Sequence, residues 1–324
     1  MRMVMSINQV KSIAMTVADM DRSIEFYTTV LAFTKIADRQ VIGVEAVDES
    51  CLSADRVPQA TKIQLRVVEL QLGNETIELT EFLTLKGRPI PSDSRSHDRW
   101  FQHIAIVVSD MDRAYQHLQQ HRVSQTSPNP QTLPAWNAIA GGIQAMYFRD
   151  PDGRDLELIH FPPGKGDPKW QQPTDALFLG IDHTAIVVAD TSASRAFYCD
   201  LLGMKLQQES ENFGVEQELL SGVANAKVRI SSLAAPTGLG IELLEYLEPI
   251  DGRPMPPDTE SNDLWYCETT LVVADTMDTV DRLNTANFPL ACAEVTPSDT
   301  SALEFDRDFL ILDPDGHTIR LVDR

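Results

Sequence analysis

Apolar and polar positions fall into short alternating runs that return along the chain. The run at Gln102–Asp110, QHIAIVVSD, reappears at Asp182–Asp190 as DHTAIVVAD. Weaker copies are KSIAMTVAD at Lys11–Asp19 and CETTLVVAD at Cys267–Asp275. Each has the length and alternation of a strand and closes on an Asp suited to cap a helix. Helical spacing follows, as in Met20, Ile24, Tyr27 and Leu31, or in MDRAYQHLQQH from Met111. Further strands then follow: IQLRVVEL and TIELTEFL about a Gly73-Asn74 turn, and IQAMYFR and RDLELIHF about the DPDG of Asp150–Gly153. The last copy ends alike, with FLIL, DPDG at Asp313–Gly316 and HTIRLV. The pattern predicts four copies of one strand–helix–strands unit, which must pack together to bury their apolar faces.

A longer repeat joins the copies in pairs. SIEFYTTVLAF at Ser23 is echoed by SRAFYCDLLGM at Ser194, with Ala32 standing where Gly203 is expected to end a helix. GRPIPSDSRSHDRWFQH at Gly87 matches GRPMPPDTESNDLWYCE at Gly252 in length, with Arg88 and Asp93 answering Arg253 and Asp258. This segment reads as a Pro-stiffened crossover between units. The Pro-, Gly- and charge-rich FPPGKGDPKWQQPTD from Phe161 reads as a boundary. The expected domains are therefore 1–163 with units 1 and 2, a linker at 164–178, and 179–324 with units 3 and 4.

A formal charge of −21 argues against a nucleic-acid partner and against docking on anionic lipid, both of which need a positive surface, and favours solubility. The apolar runs are strand-sized, not membrane spans, and the first residues lack the apolar core of a signal peptide. Cys51, Cys199, Cys267 and Cys292 form no CxxC pair, as expected of reduced thiols in a cytoplasm. The expected partner is a small-molecule substrate or ligand, and a homo-oligomer is compatible with the sequence.

H-x-x-x-x-V-x-D, the helix with F-Y-x-x-x-L-G and the closing D-P-D-G before an E-L strand together resemble the vicinal oxygen chelate superfamily. That group includes glyoxalase I, bleomycin- and fosfomycin-resistance proteins and extradiol dioxygenases. The resemblance covers nearly the whole chain. It implies an α+β fold of four βαβββ modules, paired into two cup-shaped glyoxalase-like barrels. It also implies metal ligands on the first and last strands of paired modules. Carried onto this sequence, those positions are Ser12, Glu78, His103 and Glu157 in the first half, and His183, Glu242, Glu268 and Arg320 in the second.

Within either half the His-Glu-His-Glu set of a glyoxalase is incomplete. The first half is the better candidate, with Glu78, His103 and Glu157 around a divalent metal such as Fe, Mn, Ni or Zn, and Glu78 or Glu157 as general base. The leucines flanking Glu157 put it on the opposite face of its strand, toward the cup. In the second half, His183, Glu242 and Glu268 are weakened as a metal set by Arg320, which is expected to pair with one of the acids. That half would bind an anion or act as scaffold. The GG loop at Gly141, with Trp136 and Asn137, is a candidate roof over the first cup. The implied activity is metal-dependent chemistry on adjacent oxygens, as lyase, isomerase or ring-cleaving dioxygenase. The alternative is a metal-free binder of the bleomycin-resistance type.

Overall fold

The computed structural model describes residues 7–44, 63–285 and 307–323. Cys51 and Cys292 lie outside these residues, and Cys199 and Cys267 are free thiols. Among the described residues no helix is long and apolar enough to cross a membrane.

Unit 1 comprises β1 (Ile7–Thr16), α1 (Met20–Glu25, continuing as a π-helical turn over Phe26–Val30), β2 (Thr34–Val44), β3 (Ile63–Leu72) and β4 (Glu75–Phe82). Unit 2 has β5 (Gln102–Val108), α2 (Met111–Gln120), a short β6 (Gln131–Thr132), β7 (Gln144–Arg149) and β8 (Asp155–His160). Unit 3 has β9 (Phe178–Val187), α3 (Thr191–Arg195, with a π-helical turn to Leu201), β10 (Lys205–Phe213), α4 (Val215–Ser221), β11 (Lys227–Ala234), β12 (Thr237–Gly238) and β13 (Gly240–Glu248). Unit 4 has β14 (Cys267–Val273), α5 (Thr276–Thr285), β15 (Arg307–Leu312) and β16 (Thr318–Asp323). The predicted Asp caps form: the side chains of Asp19, Asp110 and Asp190 accept from backbone amides in the first turns of α1, α2 and α3. Ala32 and Gly203 both sit at positive φ, 59° and 82°, so the substitution kept the left-handed turn.

The sheets join units differently from the expectation. One has the order β15-β16-β14-β1-β4-β3-β2, with β12 against β1; the other runs β10-β11-β13-β9-β5-β8-β7-β6. Units 1 and 4 therefore share one sheet and units 2 and 3 the other, in place of 1 with 2 and 3 with 4. The segments 1–163 and 179–324 are duplicates in sequence, but neither closes a sheet alone. The first strands meet in antiparallel pairs, β1 with β14 and β5 with β9.

The connectors cause this exchange. The first carries the chain out of one sheet after β4, and the second returns it before β14. They cross as a reciprocal clamp. Arg88 grips the buried Asp263 through Nε (2.9 Å) and Nη2 (2.6 Å), reaches Asp258 and lies over Trp265. Arg253 does the same to the buried Asp98, to Asp93 and to Trp100. A methyl group on Gly87 would stand 1.9 Å from the Asn262 carbonyl oxygen, and one on Gly252 would stand 2.0 Å from that of His97. Only glycine lets the two backbones approach so closely.

Units 1 and 2, and likewise units 3 and 4, pack through their helices and turns. Tyr27 reaches Asp150 (3.4 Å) and Tyr198 reaches Asp313 (3.0 Å), each a DPDG aspartate of the next unit. One apolar cluster, from Ile7 to Leu321, runs under both sheets.

Candidate metal centre

Register decides which side chains share a cup. In the sheet of units 2 and 3, Ala105 of β5 lies between Glu157 of β8 and His183 of β9. One step along, Ala185 of β9 lies between His103 of β5 and Glu242 of β13. The two rows are related by the pseudo-twofold between β5 and β9. Side chains alternate faces, so the flanking Leu156 and Leu158 go fully into the helix-side core while Glu157 enters the cup. The small alanines leave room for the imidazoles.

His103 Nε2 lies 3.1 Å from Glu157 Oε2, and His183 Nε2 lies 3.5 Å from the same oxygen and 3.4 Å from Glu242 Oε2. One ligand atom from each of His103, Glu157 and His183 can be chosen so that all lie within 4.8 Å of one another. Ser232 donates to the other oxygen of Glu242 at 2.5 Å. His183 Nδ1 donates to Asp182 Oδ2 at 3.0 Å, so Nε2 is the nitrogen that faces the cup and would take a metal in place of its proton. That Nε2 is buried and makes no hydrogen bond.

Burial works against a charge on Glu157, but the hydrogen bond from His103 and the adjacent His183 outweigh it and bring its pKa down to about 2. Burial likewise opposes a charge on His183; Glu242, Asp182 and Glu157 overcome it and hold its pKa well above the usual imidazole value. A site that draws positive charge onto a buried imidazole, with an unpartnered Nε2 facing two carboxylates, fits a divalent cation. His103, Glu157 and His183 would hold it, with Glu242 beside them at 3.4 Å from His183 Nε2.

The sheet pairing corrects both expected ligand sets. Glu78 lies in the other sheet, level with Ala14 and Glu268, so it does not join His103 and Glu157. Glu268 is likewise separated from His183 and Glu242. In the cup of units 1 and 4 the equivalent positions are Ser12, Glu78, Glu268 and Arg320. Arg320 Nε is 3.1 Å from Glu268 Oε2, Tyr266 donates to Glu268 Oε1 at 2.8 Å, and Arg39 approaches Glu78 at 3.6 Å. The expected pairing of Arg320 with Glu268 is present. Burial, with Glu268 and Glu69 nearby, raises the pKa of Glu78 against the pull of Arg320 and Arg39. Ion pairs fill this cup where the other gathers imidazoles.

A cavity of about 490 Å³ opens over the histidines. Leu133, Ile139, Ala140 and Ile143 wall one side, so the GG loop does cover a cup. Asn137 anchors that loop by donating to Asn212 Oδ1 at 2.7 Å, and Trp136 stacks on Phe213 with ring centres 4.4 Å apart. Unit 3 supplies a polar wall: Gln207, Gln208, Ser210, Asn212, Gln217 and Ser232. A register shift between Leu206 and Gln208 interrupts β10 here, and both glutamines line the cavity. The linker also contributes, through Lys165 and Lys169. Sequence reasoning missed Asp182, Ser232 and these linker residues as parts of the site.

The family profile described as Glyoxalase/Bleomycin resistance protein/Dioxygenase superfamily matches residues 9–158 and 180–321. The chain belongs to this superfamily. Over 161 residues it is 32% identical to a 2-epi-5-epi-valiolone epimerase from Actinomyces sp, a match covering 48% of this chain and 80% of that protein. Glyoxalase I from Zea mays has the same fold, with a TM-score of 0.63 and 18% identity, over 97% of this chain and 92% of its own. A putative dioxygenase from Bacillus subtilis also shares it, with a TM-score of 0.59 and 13% identity, over 99% of this chain and 86% of its own. As a member of the superfamily, the chain is a vicinal oxygen chelate protein with a His/Glu/His group suited to a metal.

Proposed function

We propose that the chain is a metal-dependent epimerase or isomerase of a neutral, hydroxylated carbonyl compound, working in the cup of units 2 and 3. The observation that carries this is the set His103, Glu157 and His183, with Glu242 beside it, brought together only across the two halves. A divalent cation there would act as a Lewis acid on a substrate carbonyl and its neighbouring oxygen.

The protein groups supply the proton traffic. Inverting a carbon next to a carbonyl means taking a proton from one face and returning it on the other. Glu157 on β8 and Glu242 on β13 flank the β5–β9 pair from opposite sides, as such an exchange needs. Glu157 stays ionised against its two histidines; Glu242, steadied by Ser232, is the more exposed of the two and the better placed to meet substrate. The polar wall of unit 3 suits hydroxyl groups. No arginine lines the cavity among the described residues, Lys169 is paired with Glu75, and Lys165 is spent on the carbonyls of Ala138 and Ile139. Apart from the metal site itself, a phosphate or carboxylate would find no unpaired cationic side chain on the cavity wall, which favours a neutral ligand. The epimerase relative supports the reaction class.

A second reading has its own support: His103, His183 and Glu157 are also the two-histidine, one-carboxylate set of non-haem iron oxygenases. Metal analysis of protein purified without chelator comes first. Near-stoichiometric metal that His103→Ala and His183→Ala both remove is expected; metal-free wild type overturns the proposal. Cyclic hydroxyketones are then incubated in D₂O and followed by NMR. Deuterium at the carbon beside the carbonyl, without O₂ uptake, supports epimerase chemistry; O₂ uptake with a catechol supports the oxygenase.

A further inference from the structure

The linker between units 2 and 3, read from sequence as a boundary, is folded against the metal centre. Its 3-10 turn, Pro168–Gln171, presents Trp170 to β9. Trp170 Nε1 donates to Asp182 Oδ1 at 2.7 Å, and the other oxygen of Asp182 accepts from His183 Nδ1 at 3.0 Å. The indole packs with Ala105, Val107 and Ile159, on the same face of the sheet as His103 and Glu157. Gly180 makes the approach possible: a methyl group there would lie 2.7 Å from the indole Cη2. Lys169 anchors the same turn to unit 1 through Glu75 at 2.8 Å, and Glu75 Oε2 accepts from the Ile181 amide at 3.3 Å.

The arrangement is particular to one ligand. The residues before the four equivalent site positions are Lys11, Gln102, Asp182 and Cys267. Before His103, Gln102 donates its amide to Thr184 and Thr269, and His103 Nδ1 is buried without a hydrogen-bond partner. Only His183 has a carboxylate behind it, and only that carboxylate is held by an indole from outside the unit.

We propose that Trp170 and Asp182 are positioning residues: the linker indole fixes Asp182, which fixes the tautomer and ring orientation of His183 and so sets metal affinity. This rests on the metal reading above. A metal-bound imidazole whose second nitrogen donates to a carboxylate is a stronger and better aimed donor, and losing such a partner typically costs about 10- to 100-fold in affinity. Trp170 acts one bond further out, so its loss is expected at the low end, about 10-fold.

The test is titration of full-length apo-protein with cobalt(II), following visible bands that report ligand geometry. Trp170→Phe, which keeps the apolar contact and removes the N–H, is expected to weaken binding about 10-fold and alter the bands, and Asp182→Asn to weaken it about 10- to 100-fold. Adding Trp170→Phe to Asp182→Asn should cost nothing more, since the path between them is already broken. Gln171→Ala, which loosens the linker by removing the bond to the Lys165 carbonyl but leaves the indole, Lys169 and Asp182 in place, should bind as wild type. Apo Trp170→Phe should still unfold cooperatively, with only the modest stability loss of one hydrogen bond. Trp170→Phe binding as wild type, a full further loss in the double variant, or Gln171→Ala matching Trp170→Phe would each overturn the proposal. Wild type that takes up no cobalt, or uptake indifferent to His103→Ala, would instead sink the metal reading beneath it.

Discussion

Removing Asp98 tests the crossing of the connectors. Its side chain is fully buried and accepts four hydrogen bonds: from Arg253 Nε at 3.1 Å, Arg253 Nη2 at 2.7 Å, the Arg253 amide at 3.0 Å and the Arg95 amide at 2.9 Å. Asp98→Ala strands two backbone donors, each worth about 1–3 kcal/mol if water does not reach it. It also breaks a pair whose carboxylate is buried, for which losses of about 3–5 kcal/mol are usual. Arg253 is about one-third exposed and keeps Asp93, so water recovers part of this. A loss of about 3 kcal/mol is expected, against less than about 1 kcal/mol for Asp93→Ala, whose carboxylate is largely exposed. Urea unfolding followed by circular dichroism measures both. Burial would raise the pKa of Asp98, yet the Arg253 and Arg95 bonds bring it below the ordinary carboxylate value. A lowered native pKa means a contribution complete above the unfolded value of about 3.9 and lost as pH falls through the native one. The gap between wild type and Asp98→Ala should therefore narrow below about pH 4. An Asp98→Ala loss no larger than that of Asp93→Ala would refute the clamp as the element that fixes the exchange.

Three other outcomes follow from the same geometry. Gly252→Ala drives a methyl group to 2.0 Å from a backbone oxygen, so little soluble folded protein is expected, read by expression yield and gel filtration. Ala32→Gly relieves a left-handed alanine, about 1–2 kcal/mol, against about 0.4–1 kcal/mol of added unfolded-chain entropy; a small rise in melting temperature is expected, and a fall would contradict it. Glu78→Gln should leave metal content at the wild-type level, because Glu78 belongs to the other cup; metal loss in that variant would restore the grouping expected from sequence.

The units, their caps and their strand order were legible because each is local: an alternating run, an Asp and a helical stripe sit within a few dozen residues. The face of Glu157 was legible for the same reason, from the leucines on either side. Which units share a sheet was not, because that depends on contacts such as Arg88 with Asp263, far apart in sequence. Composition also misled. The Pro- and Gly-rich stretch after Phe161 looked like a divide between domains, yet Trp170 and Lys169 bind it to both sheets. The exchange explains why neither half held a complete ligand set: His103 and Glu157 wait for His183 and Glu242 on the far side of that stretch. The complementary gaps, histidines missing from units 1 and 4 but present in 2 and 3, were the one clue in the sequence to the true pairing.

Since each sheet draws one unit from either half, two identical half-length chains assembled in this manner would enclose two equivalent pockets. Joining them into a single polypeptide removes that equality. One pocket can then trade its imidazoles for Ser12 and Glu268 while its strands go on framing the other. The ion-paired pocket cannot be pruned away, because β1 and β14 belong to the halves that also supply the histidines.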